Sequence, residues 1–389
     1  MDADFLVVGG GVGGGVLAGL LAKAGRRVLV LERNAGKTPL VRPEVLWPAT
    51  VAVLESLLRP EALEEAMVPV MGLRAYRGAV PLVEMAPATI AASGVQPWST
   101  DPGATRAKLL ETGTFEVRHG VEAVAVLKDG ARIAGVRARE TASGREFDLR
   151  AAWTIGDDGA HSKLREACGI ELKSRLFPVE FLCFGFDWPE SLTRNWPHLF
   201  LNPDVGRSCL MGLIAFPFPK GRGAGLVAAL GTRLKEARDL ESEWRSFLHS
   251  NPRISEVTNG KSFPRDFIHV KRPWGHAARY GAEGAALMGD AIHPVSPAGG
   301  QGANMSVQDA RALAEAFLSG HPDPVGDYER RRRPANDRSI SITRGASDAV
   351  EGKGIGRVAR RFARWLPKLA NLPLIQQQLL REASRAFVD

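Results

Sequence analysis

The apolar positions of this chain fall into two regimes. From Phe5 to Arg33 an apolar run, a glycine-rich turn, an apolar helical stretch and a second apolar run follow one another, the pattern of strand, helix and strand in a buried parallel sheet. A helix is expected over Thr50–Leu58, and Gly72–Met85 reads as a hairpin. The segment FEVRHGVEAVAVLKDGARIAGVRARE alternates and turns at Lys128-Asp129-Gly130, and a further strand runs into Gly156-Asp157-Asp158. From Ser174 to Val270 the pattern changes to short strands broken by proline and glycine, VEFLCFGFDW, RSCLMGLIAFPFP, AGLVAALGT and DFIHV, crossed by one helix near Lys235–His249. Helices from Ala303 to Phe317 and beyond Asp348 close the chain. The expected fold class is α/β. A Rossmann-like domain takes residues 1–71, 101–173 and 271–347, a mainly antiparallel substrate sheet is inserted as 72–100 and 174–270, and 348–389 form a C-terminal helical segment.

Three segments carry chemistry. The first turn reads Gly9-x-Gly11-x-x-Gly14, with Val12 and Gly13 between, and opens an apolar helix. Glycine lets the backbone turn tightly there, approach a pyrophosphate and bring helix and strand close, while Glu32 and Arg33 end the second strand where a ribose hydroxyl would be met. The second, WTIGDDGAHSKLREACGI, repeats a strand followed by Asp-Gly at Asp158-Gly159, with Ser162 and Arg165 on the next helix. The third, LMGDAIHPVSPAGGQGANMSVQDA, places Gly289 and Asp290 at a strand end, then Pro297, then Gly299, Gly300, Gln301, Gly302, Ala303 and Asn304 opening a helix. Asp290 can bond a ribityl hydroxyl. The N–H groups near Gly299–Gly302, aided by the positive end of the helix, can point at the electron-accepting edge of a flavin ring.

Together these segments resemble the class A flavoprotein monooxygenases, the family of para-hydroxybenzoate hydroxylase, over about Asp4 to Arg333. The resemblance implies non-covalent FAD, held by the first motif at its ADP part, by the Asp-Gly motif near the pyrophosphate and by Gly289-Asp290 at the ribityl chain. It implies Arg106 in TRAKLLE reaching the FAD, and Arg42 as a flavin-contacting loop arginine or a solvated charge. It also implies NADH or NADPH as a transient co-substrate without a Rossmann domain of its own, and O₂ added to the reduced flavin as a hydroperoxide that hydroxylates or epoxidises an electron-rich aromatic, quinone, quinolone or polyketide-like molecule. The catalytic group is left open: Arg74, Tyr76, Asp187 and His198, on segments assigned to the substrate sheet or its edge, are the candidate substrate-side groups, each also readable as structural or surface-exposed, and Phe184, Phe186, Phe216, Phe218 and Met211 are read as an apolar wall; His293 is read as orienting its turn. The alternative is a prenyl-chain reductase of the geranylgeranyl reductase type, for which AFPFPK at Ala215–Lys220 is a loose match. A flavin halogenase is disfavoured because no lysine occurs from Thr38 to Ala107.

Composition narrows the remaining classes. At 389 residues and 44% hydrophobic content the chain can bury one large core or two joined ones. Cys168, Cys183 and Cys209 show neither metal spacing nor an even count, so no disulfide framework and no metal are expected, and a cytoplasmic setting is. The uncharged run Phe5–Ala22 is flanked by Asp2 and Asp4 and rich in glycine, unlike a signal or a membrane span. The net charge of +8 gathers late, at Arg330–Arg333 and at Arg357, Arg360, Arg361 and Arg364, beside Val358, Phe362, Trp365 and Leu366 at helical spacing. A basic amphipathic helix of this kind either packs on the nucleotide domain, the favoured reading, or makes peripheral membrane contact. Nucleic acid is not expected, for want of a recognisable module. A monomer or homodimer is.

Overall fold

A computed structural model describes residues 1–36, 42–204, 207–236, 239–258, 267–296, 300–351, 353, 369–386 and 388. Pro297, Gly299 and the basic stretch containing Arg357–Leu366 lie outside the described residues.

The first apolar runs become β1 (Ala3–Val8) and β2 (Val28–Glu32), joined by α1 (Val12–Lys23). β1 pairs in parallel with β2 and with β11 (Glu146–Gly156), and the sheet continues through β8 (Glu116–His119), β20 (Ala285–Leu287) and the antiparallel edge strand β19 (Gly281–Ala282). Only the second half of β11 serves this sheet. Its first half pairs with β10 (Arg132–Glu140), which pairs in turn with β9 (Val121–Asp129), across the expected hairpin. Successive side chains of a strand point to opposite faces. Val7, Val30 and Ile155 accordingly pack on the helical side, with α1 and α10 (Gly302–Leu318), while Leu6, Val8, Leu29 and Leu31 pack under Val136, Ala138 and Leu149 of the meander. Both faces being covered, β1 and β2 read as unbroken apolar runs.

The inserted sheet has the order β17-β13-β16-β15-β14-β5-β6, with β5 (Leu73–Arg77), β6 (Val80–Met85), β13 (Val179–Asp187), β14 (His198–Leu201), β15 (Leu210–Pro217), β16 (Arg222–Leu230) and β17 (Ile268–Val270). It is antiparallel except where β14, a strand not anticipated, runs parallel to β5. Its outer face is covered by α8 (Leu240–Ser250) and α9 (Pro252–Thr258) through Trp244, Phe247, Ile254 and Val257. Its inner face, carrying Phe181, Cys183, Met211 and Leu226, turns toward Trp47, Trp274, Val295 and Met305 of the nucleotide-binding part. The helix expected over Lys235–His249 is divided: α7 (Gly231–Glu236) ends and Asp239 caps α8, accepting from the N–H groups of Glu241 (3.1 Å) and Ser242 (3.0 Å).

Smaller elements complete the frame. β3 (Glu44–Leu46), β7 (Trp98–Thr100) and β4 (Met67–Pro69) form a three-stranded sheet beside the first turn, and β12 (Leu172–Leu176) pairs with β18 (Pro273–Ala277). The helices α2 (Pro48–Glu55), α3 (Pro60–Glu64), α4 (Pro87–Ser93), α5 (Pro102–Leu110) and α6 (Lys163–Ala167) fill the crossings. α11 (Pro324–Glu351) was not anticipated, and its composition explains why: the side it buries is largely polar, with Arg332, Asn336, Ser339, Thr343 and Ser347, and Pro334 lies inside it. Hydrophobic periodicity carries no trace of such a helix. The last helix, α12 (Pro373–Arg385), docks on α4 through Arg381, which donates to the carbonyl of Ser93 at 3.0 Å. No helix among the described residues is long and apolar enough to cross a membrane.

Candidate functional site

The three motifs converge at the C-terminal ends of β1, β11 and β20, the crevice where open α/β sheets bind ligands. One carboxylate joins them. Asp157 Oδ2 accepts from the N–H of Gly14 at 2.8 Å and faces Gly11, while its Oδ1 lies 2.7 Å from where a Cβ on Gly289 would stand. Burial pushes the Asp157 carboxyl well above the usual range; the Gly14 N–H opposes this, and Asp290, Asp158 and Asp309 reinforce it. The sequence reading selected Asp158 of this Asp-Asp pair. Asp158 lines the larger cavity and braces its own loop, accepting from the N–H of Leu164 at 3.2 Å, and its Oδ1 has no partner among the described residues. The only signal for Asp157 was its position as the last residue before the turn.

Glycine is required where backbones meet. Gly9 has φ +111°, and a Cβ there would lie 2.2 Å from the carbonyl oxygen of Asp157. A Cβ on Gly13 would lie 2.0 Å from Ser306 Oγ on α10, so the first and third motifs are in direct contact. Glu32, expected at a ribose, also holds the turn: it accepts from Gly10 N–H (3.2 Å) and Asn34 N–H (2.8 Å) and lies 2.8 Å from Arg106 Nη2. Arg106 reaches it from α5, whose N-terminus Asp101 caps, and also donates to the Gly10 carbonyl.

At the other end of the cleft Asp290 is paired with Arg272, and Arg42 Nη2 with Glu44 Oε1 at 3.1 Å. Asn304 does not line the cleft. It staples β3 to the flavin turn, donating to Val45 O (2.7 Å) and Gly300 O (2.8 Å) and accepting from Trp47 N–H (3.0 Å). Beneath the turn Asp309 of α10 accepts from Gly289 N–H (3.1 Å), pairs with His293, and lies 3.0 Å from Arg332 Nε. Burial would raise the Asp309 carboxyl, but His293 and Arg332 hold it below the carboxylate range. His293 thus orients its turn, as expected from sequence.

Two cavities, of about 640 and 210 Å³, share Gly11, Arg42, Arg106, Asp157, Gly159, Arg272 and Asp290 and form one cleft. It brings together Gly9, Gly11, Val12, Gly13, Glu32, Arg33, Arg42, Arg106, Asp158, Asp290, Gly300, Gln301, Gly302 and Ala303. Gly14 and Gly289 pack behind it. The helices α1 and α10 open on it, and buried polar atoms without a protein partner, Asp158 Oδ1 and Gln301 Oε1, belong to residues that line it. Helix N-termini, arginines and orphan acceptors suit a phosphate bridge and hydroxyl groups, so the residues present fit FAD.

The substrate-side candidates fare differently. Phe184 and Phe186 face α8, away from the cleft, because the register that turns Phe181 and Cys183 inward turns their neighbours outward. Met211 does face inward. Tyr76 is buried in the outer core, its ring 5.4 Å from Phe200 and 6.1 Å from His198. Arg74 pairs with Glu84 at 2.9 Å, and Asp187 ends β13 opposite Arg222. None of these four lines the cleft.

Two histidines, the buried His198 and the half-buried His276, give the fold an acid dependence. Burial lowers His198 to about 4, and burial with His293 and Arg333 nearby lowers His276 to about 4. The unfolded chain would hold these protons from the ordinary histidine value near 6.5 downward. Stability is therefore full above that value and falls as pH drops toward 4, by at most about 1.4 kcal/mol per pH unit for each histidine. Urea midpoints should be lower at pH 5 than at pH 7, and His198→Phe should remove part of the difference; equal midpoints at the two pH values would show that neither histidine is held neutral.

The FAD binding domain family model matches residues 2–341. Protoasukamycin 4-monooxygenase of Streptomyces nodosus subsp. asukaensis is 27% identical over 384 residues, covering 87% of this chain and 86% of that protein. Ubiquinone hydroxylase UbiL of Rhodospirillum rubrum is 26% identical over 382 residues, covering 88% and 80%. Among solved structures, PqsL of Pseudomonas aeruginosa, described as a probable FAD-dependent monooxygenase, matches with a TM-score of 0.72 and 25% identity over 90% of this chain and 96% of its own. p-Nitrophenol 4-monooxygenase PnpA of Pseudomonas putida DLL-E4, at 20% identity, shares the fold with a TM-score of 0.77 over 99% and 98%.

Proposed function

The chain belongs to the FAD-binding-domain family and, within it, to the FAD-dependent aromatic hydroxylases of class A, and from that premise we propose that it hydroxylates a flat, electron-rich ring laid between the flavin turn and the inner face of the inserted sheet. The observation that supports this is the apolar cluster at the end of the cleft: Phe181, Cys183, Met211 and Leu226 pack with Trp47, Trp274 and Val295, and Val295 itself lines the cleft with Gly300 and Gly302. An apolar surface with few polar groups suits an aromatic, quinone, quinolone or polyketide-like molecule.

The roles of the chain's own residues follow from their placement. Gly11–Gly13 and the N-terminus of α1 would hold the pyrophosphate, Glu32 a ribose, Asp290 the ribityl chain, and the N–H groups of Gln301 and Gly302 the ring edge where negative charge develops. Bound FAD supplies two-electron chemistry, taking hydride from a nicotinamide and activating O₂. The sheet's apolar face excludes water from that reaction. The larger cavity runs on to Arg33, His161, Lys163, His269 and Lys271, and this basic rim is suited to the phosphates of a transiently docked NADH or NADPH.

The deciding experiment is turnover under labelled O₂ with NAD(P)H and a panel of phenols, quinones and polyketide aromatics. Stimulated NAD(P)H oxidation with one labelled oxygen in the product is expected. Saturation of a prenyl double bond under anaerobic turnover, with no oxygen gained, would overturn the reading in favour of a reductase.

A further inference from the structure

A carboxylate that none of these roles uses lies at the join of the cofactor cleft and the inner sheet face. Glu44 is the first residue of β3, and Asn304 fixes that strand to the flavin turn, holding Val45 O and Gly300 O on one amide. Its side chain is 13% exposed and lines the cleft with Val295, Gly300, Gln301 and Asp290. The next residues, Val45 and Trp47, pack with Phe181 and Cys183 of the inner face. Glu44 therefore lines the cleft beside Val295 and Gly300 while its own strand packs into the apolar cluster, so a ring held between that end of the cluster and the turn would present its edge to it. Arg42, 3.1 Å away, holds it in place.

Burying a carboxylate beside a site that takes phosphate groups is costly unless it is paired. Arg42 supplies the pair, and burial, opposed by Arg42 and reinforced by Asp290, still leaves the Glu44 carboxyl above its ordinary value. A carboxylate of raised basicity beside a fixed guanidinium is equipped both to take a proton and to stabilise the anion that remains. The four side chains expected from sequence to serve the substrate lie outside the cleft.

We propose that Glu44, positioned by Arg42, accepts the proton of a ring O–H or N–H on the substrate and so selects substrates that carry such a donor. The O–H or N–H bond breaks, its electron pair stays on the ring heteroatom, the proton goes to a Glu44 carboxylate oxygen, and the Arg42 guanidinium faces the new anion. This rests on the monooxygenase reading above.

The probe is 4-nitrophenol, whose anion absorbs at longer wavelength than its neutral form, titrated into FAD-loaded protein below the phenol's own pKa. The wild type should show the anion's difference band on binding. Glu44→Gln, with FAD content unchanged, should bind the probe as the neutral phenol and about tenfold more weakly, and Glu44→Asp should recover part of the band. Retention of the band by Glu44→Gln, loss of FAD together with the probe, or a wild type that binds only the neutral phenol or nothing would each overturn the assignment. Anion binding without labelled oxygen in any product would leave Glu44 in its role and overturn monooxygenation; labelled oxygen without the anion band would do the reverse.

Discussion

Asp309→Asn should lower the stability of the folded protein by about 3–5 kcal/mol and strip it of FAD. The residue lines neither cavity of the cleft. Its carboxylate is fully buried between Arg332 and His293 and also receives the Gly289 N–H and, at 3.3 Å, Asn336 Nδ2. Losing the negative charge leaves the guanidinium of Arg332, itself 0% exposed, without its buried carboxylate, and removing one member of such a pair costs far more than the pair contributes. Against a typical total stability of about 5–15 kcal/mol this is a large fraction. The loss also reaches the cofactor, because Asp309 fastens the Gly289–Ala291 turn that carries Asp290 onto the helix that begins at Gly302. Urea denaturation and the FAD-to-protein ratio after gel filtration measure the two effects. The double variant Asp309→Leu with Arg332→Met, which removes both charges, should be more stable than Asp309→Asn alone. An unchanged midpoint in Asp309→Asn would sink this account.

Gly9→Ala should weaken FAD binding by about tenfold or more while leaving the inserted sheet folded. The residue follows β1 in a conformation that L side chains rarely adopt, and the obstacle to its Cβ is the backbone carbonyl of Asp157 just after β11, not a side chain that can swing aside. Overpacking alone costs about 1–3 kcal/mol, and relief requires β1 and the Asp157 turn to separate, which is the approach that forms the phosphate cleft. FAD affinity should fall by about tenfold or more, since each 1.4 kcal/mol of lost binding is a factor of ten. Flavin fluorescence quenching titrations would report this, alongside far-UV circular dichroism as the control for folding. A variant that binds FAD as tightly as the wild type would mean that the turn is not shaped by this contact.

Much of the site was legible in the chain because it is built from local backbone chemistry. Gly9, Gly11, Gly13 and Gly300 are where a positive φ or a close approach disfavours a side chain, and such demands are written at the position itself. The order of the three motifs, each at a strand end, was enough to place a dinucleotide cleft. Legibility stopped where direction mattered. Phe184 and Cys183 are adjacent and both apolar, and only the sheet's register with its two coverings turns one toward α8 and the other toward Trp47 and Trp274. The same limit hid α11, whose buried face is polar and satisfied by partners distant in sequence, such as Asn336 with Tyr280 OH at 3.1 Å.

By itself the sequence determined the class of fold, the nucleotide-binding turns and their order along the chain, since strand and helix periods and glycine spacing are local properties of the backbone. The tertiary structure alone decided which acidic groups do the work. Asp157 rather than Asp158 joins the motifs, Glu32 and Arg106 hold each other as well as the turn, Asp309 anchors the flavin turn from beneath, and Glu44 stands at the edge of the inner face. The physical reason is that a carboxylate's role depends on the charges and amides packed around it, and here those partners come from distant segments, Gly14 lying 143 residues from Asp157.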